Sequence, residues 1–420
     1  MVSFRSLFAV ILALALAAAP AHADEDDAPP SVDTVAPDPV PTPAPDDVAD
    51  LIGPIDVIAP RIYGGPAGAE GEIESTTLRR AENAFDVPAS VSTLVRDDIL
   101  IRRQARSMSD ALKGLPSVLV QKTGPLQHSP FIRGFTGYQN LLLIDGIRLN
   151  HSAMRSGPNQ YWSTVDPLSI ERLELTRGPH SVLYGSDAVG GTLNALPWRR
   201  TSFEPGLHVN GGAYARGGTA DGAYFFRAET EGNKDRFGWT AGVSYKAYHD
   251  IDSGDGRLPN TGGIHELDAD LRADWILGRG FWMAFGWQHV DQNDAPRTER
   301  TVYSVPFRGT AVGSELRRDF DQTRNLAYAR IGFDGGPCCW LQHGQLTVSW
   351  HRHEEDRDRK RTGDRRDFSG FTVDQLGIAL QMESDTSVSY THLTLPTNTV
   401  TWGGGGGGGG WGGGGGGGGG

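Results

Sequence analysis

Cysteine is nearly missing from this chain: two residues in 420, adjacent at Cys338 and Cys339. An adjacent pair offers no disulfide framework. Long apolar runs are missing too. After residue 19 nothing approaches the roughly 20 residues that a spanning helix needs. A membrane form must therefore be a β-barrel, because only helices and closed barrels satisfy their backbone in lipid. There is no basic stripe: Asp and Glu outnumber Lys and Arg by 51 to 39, for a net charge of −12, so nothing points to nucleic acid. There is no catalytic triad and no nucleophile elbow. Gly185 to Gly191 reads GSDAVGG but no Gly-Lys-Ser/Thr follows, so it is no phosphate loop. No enzyme activity, catalytic residue or cofactor is predicted.

Metal ligands are weakly signalled. Asp250, Asp252 and Asp255 lack EF-hand spacing and a glutamate at the twelfth position, and read as a hairpin loop. His351-Arg352-His353-Glu354-Glu355-Asp356 has donor residue types but reads as a solvated loop. No metal site is predicted.

The order of what is present is informative. Residues 1–23 form a secretory signal peptide: Arg5, an apolar run from Leu7 to Ala19, and Ala21-His22-Ala23 as cleavage site. Residues 24–83 are a linker rich in Pro, Ala and Asp, with too few apolar groups to offset the entropy of ordering. Within it Ile55, Asp56, Val57, Ile58 and Ala59 form a β-prone island between Pro54 and Pro60. Such a strand is useful mainly when added to another protein's sheet edge.

Residues 84–200 read as a compact α+β unit. Strands are expected at Val87–Val95, Val118–Gln121, Phe131–Arg133, Leu141–Ile144 and Leu173–Thr176. Asp97 or Asp98 is placed to cap a short helix. Ser107-x-x-Asp110 is placed to cap a second, with Leu112, Leu115 and Val118 facing the core. Asp166-Pro167 starts another. From 201 to 386 the period changes to two. Phe237, Trp239, Ala241, Val243 and Tyr245 share one face; Leu267 to Leu277 and Phe281 to Trp287 repeat the pattern, with Asp268, Asp270 and Asp274 opposite. Apolar-out, polar-in strands of about 10 residues fit a transmembrane barrel; a soluble sandwich also alternates, and the charged face fits a wet lumen or an exposed sheet alike.

Four ordered pieces decide the family expectation: Ile132-Arg133-Gly134-Phe135, Leu141-Leu142-Leu143-Ile144-Asp145-Gly146, Arg177-Gly178-Pro179 running to Leu183-Tyr184-Gly185-Ser186, and Ala188-Val189-Gly190-Gly191. Together they resemble the plug of TonB-dependent outer-membrane receptors. The resemblance implies an α+β plug followed by an incomplete transmembrane antiparallel β-barrel: 22 strands in the family, roughly eight here. It makes residues 55–59 the TonB box, gripped by a TonB-type protein of the inner membrane. It implies that Arg133, Glu174 and Arg177 lock plug to wall. It also implies that apex loops carrying Gln127, His128, His151, Arg155, Asn159, Tyr161 and Trp162 meet an iron chelate, haem or cobalamin. The expected function is energised uptake across the outer membrane, with lipid around the barrel. The alternatives are a secreted soluble β-rich binding module or an inactive truncated fragment.

Residues 387–420 are set aside as artefact. VSYTHLTLPT, from Val388 to Thr397, looks like sequencing adapter read in frame, and 403–420 is glycine except Trp411. The chain is therefore expected to be a piece of a longer receptor.

Overall fold

A computed structural model describes residues 87–384 apart from 201–202, 255, 305–311, 336–340 and 364, together with four short strand segments at 74–75, 82–83, 393–394 and 400–403. The signal peptide, Ile55–Ala59, Cys338 and Cys339, and most of the linker and the tail lie outside the described residues.

Two bodies of structure follow each other along the chain. The first holds β1 (Ser90–Val95), β2 (Val118–Lys122), β3 (His128–Ile132), β4 (Asn140–Ile144), β5 (Ile147–Arg148), β6 (Ile170–Arg177) and β7 (Gly191–Pro197). Five of these form one sheet in the order β1-β6-β7-β4-β5, with β4 and β7 parallel and the rest antiparallel; β2 and β3 form a separate hairpin. The expected strands are all present, with shifted ends. β3 stops before Arg133, whose φ of 52° turns the chain back. Asp97 caps nothing; a π-helical turn, Asp98–Arg102, follows it directly. Ser107 does cap the single turn α1 (Met108–Ala111), accepting from the Asp110 amide, and Asp166 accepts from the Leu168 amide ahead of Pro167–Ser169.

Leu112, Ile132, Trp162, Leu173 and Leu193 fill the core, with Leu115 and Val118 packed on it. The paired glycines of the fourth sequence piece explain themselves here. A Cβ on Gly191 would lie 2.6 Å from the Thr176 carbonyl oxygen and 2.9 Å from Ile132 Cγ2; one on Gly190 would strike Phe135 and Asn140. Gly191→Ala is expected to destabilise this unit by about 1–3 kcal/mol, the usual cost of overpacking. A reduced yield of heat-modifiable, folded protein in the outer membrane would register the loss.

The second body is a sheet of eight long antiparallel strands, each paired with the next in sequence. They are β8 (Leu207–Gly217), β9 (Tyr224–Lys234), β10 (Phe237–Tyr248), β11 (Ile264–Gly278), β12 (Phe281–Pro296), β13 (Glu315–Asp334), β14 (His343–Arg361) and β15 (Arg366–Glu383). Tight turns at 235–236 and 279–280 alternate with long links at 249–263 and 297–314, as in outer-membrane barrels. One face carries apolar groups in cross-strand register: Phe237 opposite Trp275, Trp275 opposite Met283, Ile331 opposite Leu346, Trp350 opposite Leu376. All six of Trp275, Met283, Ile331, Leu346, Trp350 and Leu376 are exposed. An apolar belt of that extent suits lipid.

Among the described residues, β8 and β15 are the two sides of this long-strand sheet. Leu393–Thr394 and Val400–Gly403, from the tail set aside on sequence, are laid along β15. The described residues contain no helix long and apolar enough to cross a membrane, which says nothing against strands doing so.

Candidate functional site: the seam between plug and wall

The inner face of the sheet is neither the wet lumen nor the exposed surface that its charge allowed. Lys246, Asp268, Arg272, Arg324 and Arg330 are all buried, because the first body sits against them and pairs with them. The pairing is concentrated at two carboxylates.

The first is Asp145. It shares with Gly146 the tight turn joining β4 to β5; both residues have positive φ, the type I′ geometry that Asp-Gly favours. The turn pushes the carboxylate into the wall. There it meets Arg330 at 2.7 Å and Arg272 at 2.8 Å, and accepts the Tyr328 hydroxyl at 2.5 Å. Burial works to raise its pKa, but Arg330 and Arg272 outweigh it and hold the carboxyl well below the usual range.

The second is Asp166, the N-cap described above. One oxygen lies 2.7 Å from Lys246 Nζ, and the other accepts the Ser244 hydroxyl at 2.7 Å. Lys246 also touches Glu266 at 2.8 Å and Asp268 at 2.9 Å. Burial again raises the Asp166 pKa, and Lys246 with Arg227 overcomes it, so the group stays ionised. Lesser links complete the seam. Gln292 donates to the Ser163 carbonyl at 2.9 Å, Arg324 to the Thr164 carbonyl at 3.1 Å, and Gln375 to the Asn150 carbonyl at 3.1 Å. Arg96 bonds Glu229 at 2.8 Å, Arg106 pairs with Asp221, and Gln160 with Glu355.

The arginines expected to do this work do something else. Arg177 donates to the Pro116 carbonyl at 2.8 Å and to the hydroxyls of Ser90 and Ser92, tying β6 to the edge strand β1 inside the first body. Glu174 pairs with Arg172 at 3.0 Å on the same strand. Arg133 is exposed beside Gly178. The physical reason is position: Arg177 ends β6 opposite Ser90, where three local acceptors take up its guanidinium.

The expected ligand loops divide likewise. His128 is fully buried; its Nδ1 lies 2.6 Å from the Ser107 hydroxyl, and burial pushes its pKa down to about 3. Trp162 is core, Gln127 is buried in the turn before β3, and the Asn159 amide donates to Ser129. Arg155 donates to Gln160. Of the set, His151 and Tyr161 come together at 4.9 Å between rings, and Arg155 hydrogen-bonds Tyr161. The two rings pack on His353 of β14 and Phe371 of β15. The run from His351 to Asp356 is thus no solvated loop. It lies within β14, with its histidines turned inward. No group of three His, Cys, Asp or Glu among the described residues forms a ready metal site.

A globular unit anchored by buried ion pairs to one face of a lipid-suited sheet is a plug in a barrel wall. Residues 83–192 match the family described as TonB-dependent Receptor Plug Domain. This is the plug of a TonB-dependent receptor. The vitamin B12 transporter BtuB of Photobacterium profundum is 26% identical to the receptor chain over 330 residues, which is 70% of this chain and 53% of that protein. BtuB of Vibrio vulnificus is 35% identical over 130 residues, 30% of this chain and 21% of that protein. The siderophore receptor PirA from Acinetobacter baumannii matches in fold with a TM-score of 0.53 at 15% identity, covering 72% of this chain and 46% of its own. The chain thus spans about half the length of BtuB from Photobacterium profundum, and the sheet of β8–β15 is part of a receptor wall.

The sequence reading missed Asp145, Asp166 as a link, Lys246, Arg272 and Arg330. A signal was available for two of them. Asp145 lies at the tip of an Asp-Gly turn, and Lys246 is a cation on a strand face that otherwise reads Gly238, Thr240, Gly242, Ser244.

Proposed function

We propose that this chain belongs to a receptor that takes up a scarce ligand across the outer membrane, energised through Ile55–Ala59 by a TonB-type protein of the inner membrane. The observation that carries the reading is the plug, docked by Asp145 and Asp166 on a wall whose other face is an apolar belt. A plug held that way must be moved for a ligand to pass, and the island at 55–59 is a strand suited to pairing with a partner's sheet edge. No bond in the ligand is broken, so the activity is transport. The curated relatives make cobalamin the first ligand to test; iron chelates and haem follow. Residues 1–23 act as the export signal, and further strands close the barrel beyond those described.

The test uses cells expressing the full-length protein and cobalt-labelled cyanocobalamin. Energised accumulation is expected, and deletion of Ile55–Ala59 is expected to abolish it while leaving surface binding intact. Equal accumulation with and without the segment would refute the energised route.

A further inference from the structure

The first long strand that the chain forms in the plug, β1, is also the strand least buried in it. Every residue of β4 and β7 is buried, whereas of the six residues of β1 Leu94 alone is. β1 is an edge as well: among the described residues it pairs with β6 and with no other strand. Little apolar surface opposes its departure, and low local burial marks a segment that opens before the rest. Beyond the ladder to β6, what holds it is polar and sits at its two ends. At the near end Ser90 and Ser92, which share a face by the period of two, accept from Nη1 and Nη2 of Arg177 at 3.3 and 2.8 Å. Nε of the same guanidinium donates to the Pro116 carbonyl at 2.8 Å, so Arg177 is itself fixed. Just past the far end, Arg96 bonds Glu229 of the wall at 2.8 Å and lies over the Trp198 ring.

We propose that under tension β1 detaches while the rest of the plug stays seated, and that Arg177 is the latch that sets the tension this requires. The pull itself rests on the uptake reading above; the latch does not, and is measured on purified protein. Tension on the linker enters the plug at Ser90. β1 and the seam lie in series, so both bear the same tension and the weaker yields first. The seam is held by Asp145 with Arg272, Arg330 and Tyr328, by Asp166 with Lys246, and by the plug carbonyls that Gln292, Arg324 and Gln375 reach. β1 has six ladder pairs and the two bonds from Arg177. Hydrogen bonds from an ionised donor are roughly twice as strong as neutral ones. These two brace Ser90 and Ser92, the end of the strand that tension reaches first. Forced opening follows the rate of unfolding, so bonds at the loaded end govern it. Release of β1 ends at Arg96, whose bond to Glu229 is the next to be loaded.

The test is hydrogen exchange on full-length protein in detergent. Arg177→Met removes the donors and keeps an unbranched stem. It is expected to speed exchange across Ser90–Val95 about tenfold or more, the effect of losing charged hydrogen bonds, and to leave β4 and β7 unchanged. Ser92→Ala removes one acceptor at a half-buried position and is expected to speed exchange in the same strand about threefold. It decides the matter should Arg177→Met fold poorly. Single-molecule pulling from a handle in the linker, with the barrel held, is expected to show a short first event before the plug leaves the wall. A Val91→Cys/Thr176→Cys disulfide should abolish that event. These two residues are Cα partners across β1 and β6, a spacing a disulfide can bridge. Exchange in β1 that stays unchanged, or that rises no more than in β4 and β7, would overturn the latch. So would a wild-type plug that leaves the wall in one event with β1 still attached.

Discussion

Asp145→Asn is expected to loosen the plug by about 3–5 kcal/mol, the cost of stranding a buried charge. Asparagine tolerates the left-handed backbone of the turn, so the change isolates the charge. Two guanidiniums, Arg272 and Arg330, lose the carboxylate that binds both. The expected readout is antibiotic entry: cells with full-length Asp145→Asn should become sensitive to vancomycin, which a seated plug excludes. The pH dependence has a definite sign. The folded-state pKa of Asp145 is lowered. Its stabilisation is therefore complete above the unfolded carboxylate pKa of about 3.9 and is lost as pH falls through the folded value. Plug seating should hold through the mildly acid range.

Lys246→Met is expected to be at least as damaging. It leaves Asp166, Glu266 and Asp268 around one position, each previously within 2.9 Å of the ammonium, and three buried carboxylates without that cation repel one another. A loss of about 3–5 kcal/mol or more is expected, read as failure of the protein to reach its heat-modifiable form. Neutralising the partners as well, as Lys246→Met/Glu266→Gln/Asp268→Asn, should recover much of the loss. Replacing a whole buried ionic group by neutral residues is often nearly free, whereas removing one member is not. An unrescued triple variant would show that the strand, and not its charge, was at fault.

Much of this architecture was legible in the sequence, for reasons that also explain what was not. Alternation in Phe237–Tyr245 and Leu267–Leu277 exposed the lipid face, because period two reports directly which side chains share a face. The strands at Leu207–Gly217 and Tyr224–Lys234 went unread: Gly211, Gly212 and a run of small or charged residues give little apolar contrast, and pairing with neighbours defines them. The plug followed from glycines that only close backbone approach requires, as at Gly190 and Gly191. Period two cannot say what covers a face. Asp268 read as lumenal or exposed, and His351 and His353 as solvated, since nothing local announces Asp166 or His151 opposite them. Arg177 misled for the same reason. Its charge was visible, but Ser90, Ser92 and Pro116, which occupy it, lie more than 60 residues away.

The most direct test of plug docking is a disulfide between Asp166→Cys and Ser244→Cys in the full-length protein in the outer membrane. The native side chains touch at 2.7 Å, and Lys246 keeps Glu266 and Asp268 when Asp166 is replaced. Mild oxidation should link the two peptides within one molecule, reversibly by reductant. Two thiols that stay separately reactive in folded protein would contradict a plug seated on this wall.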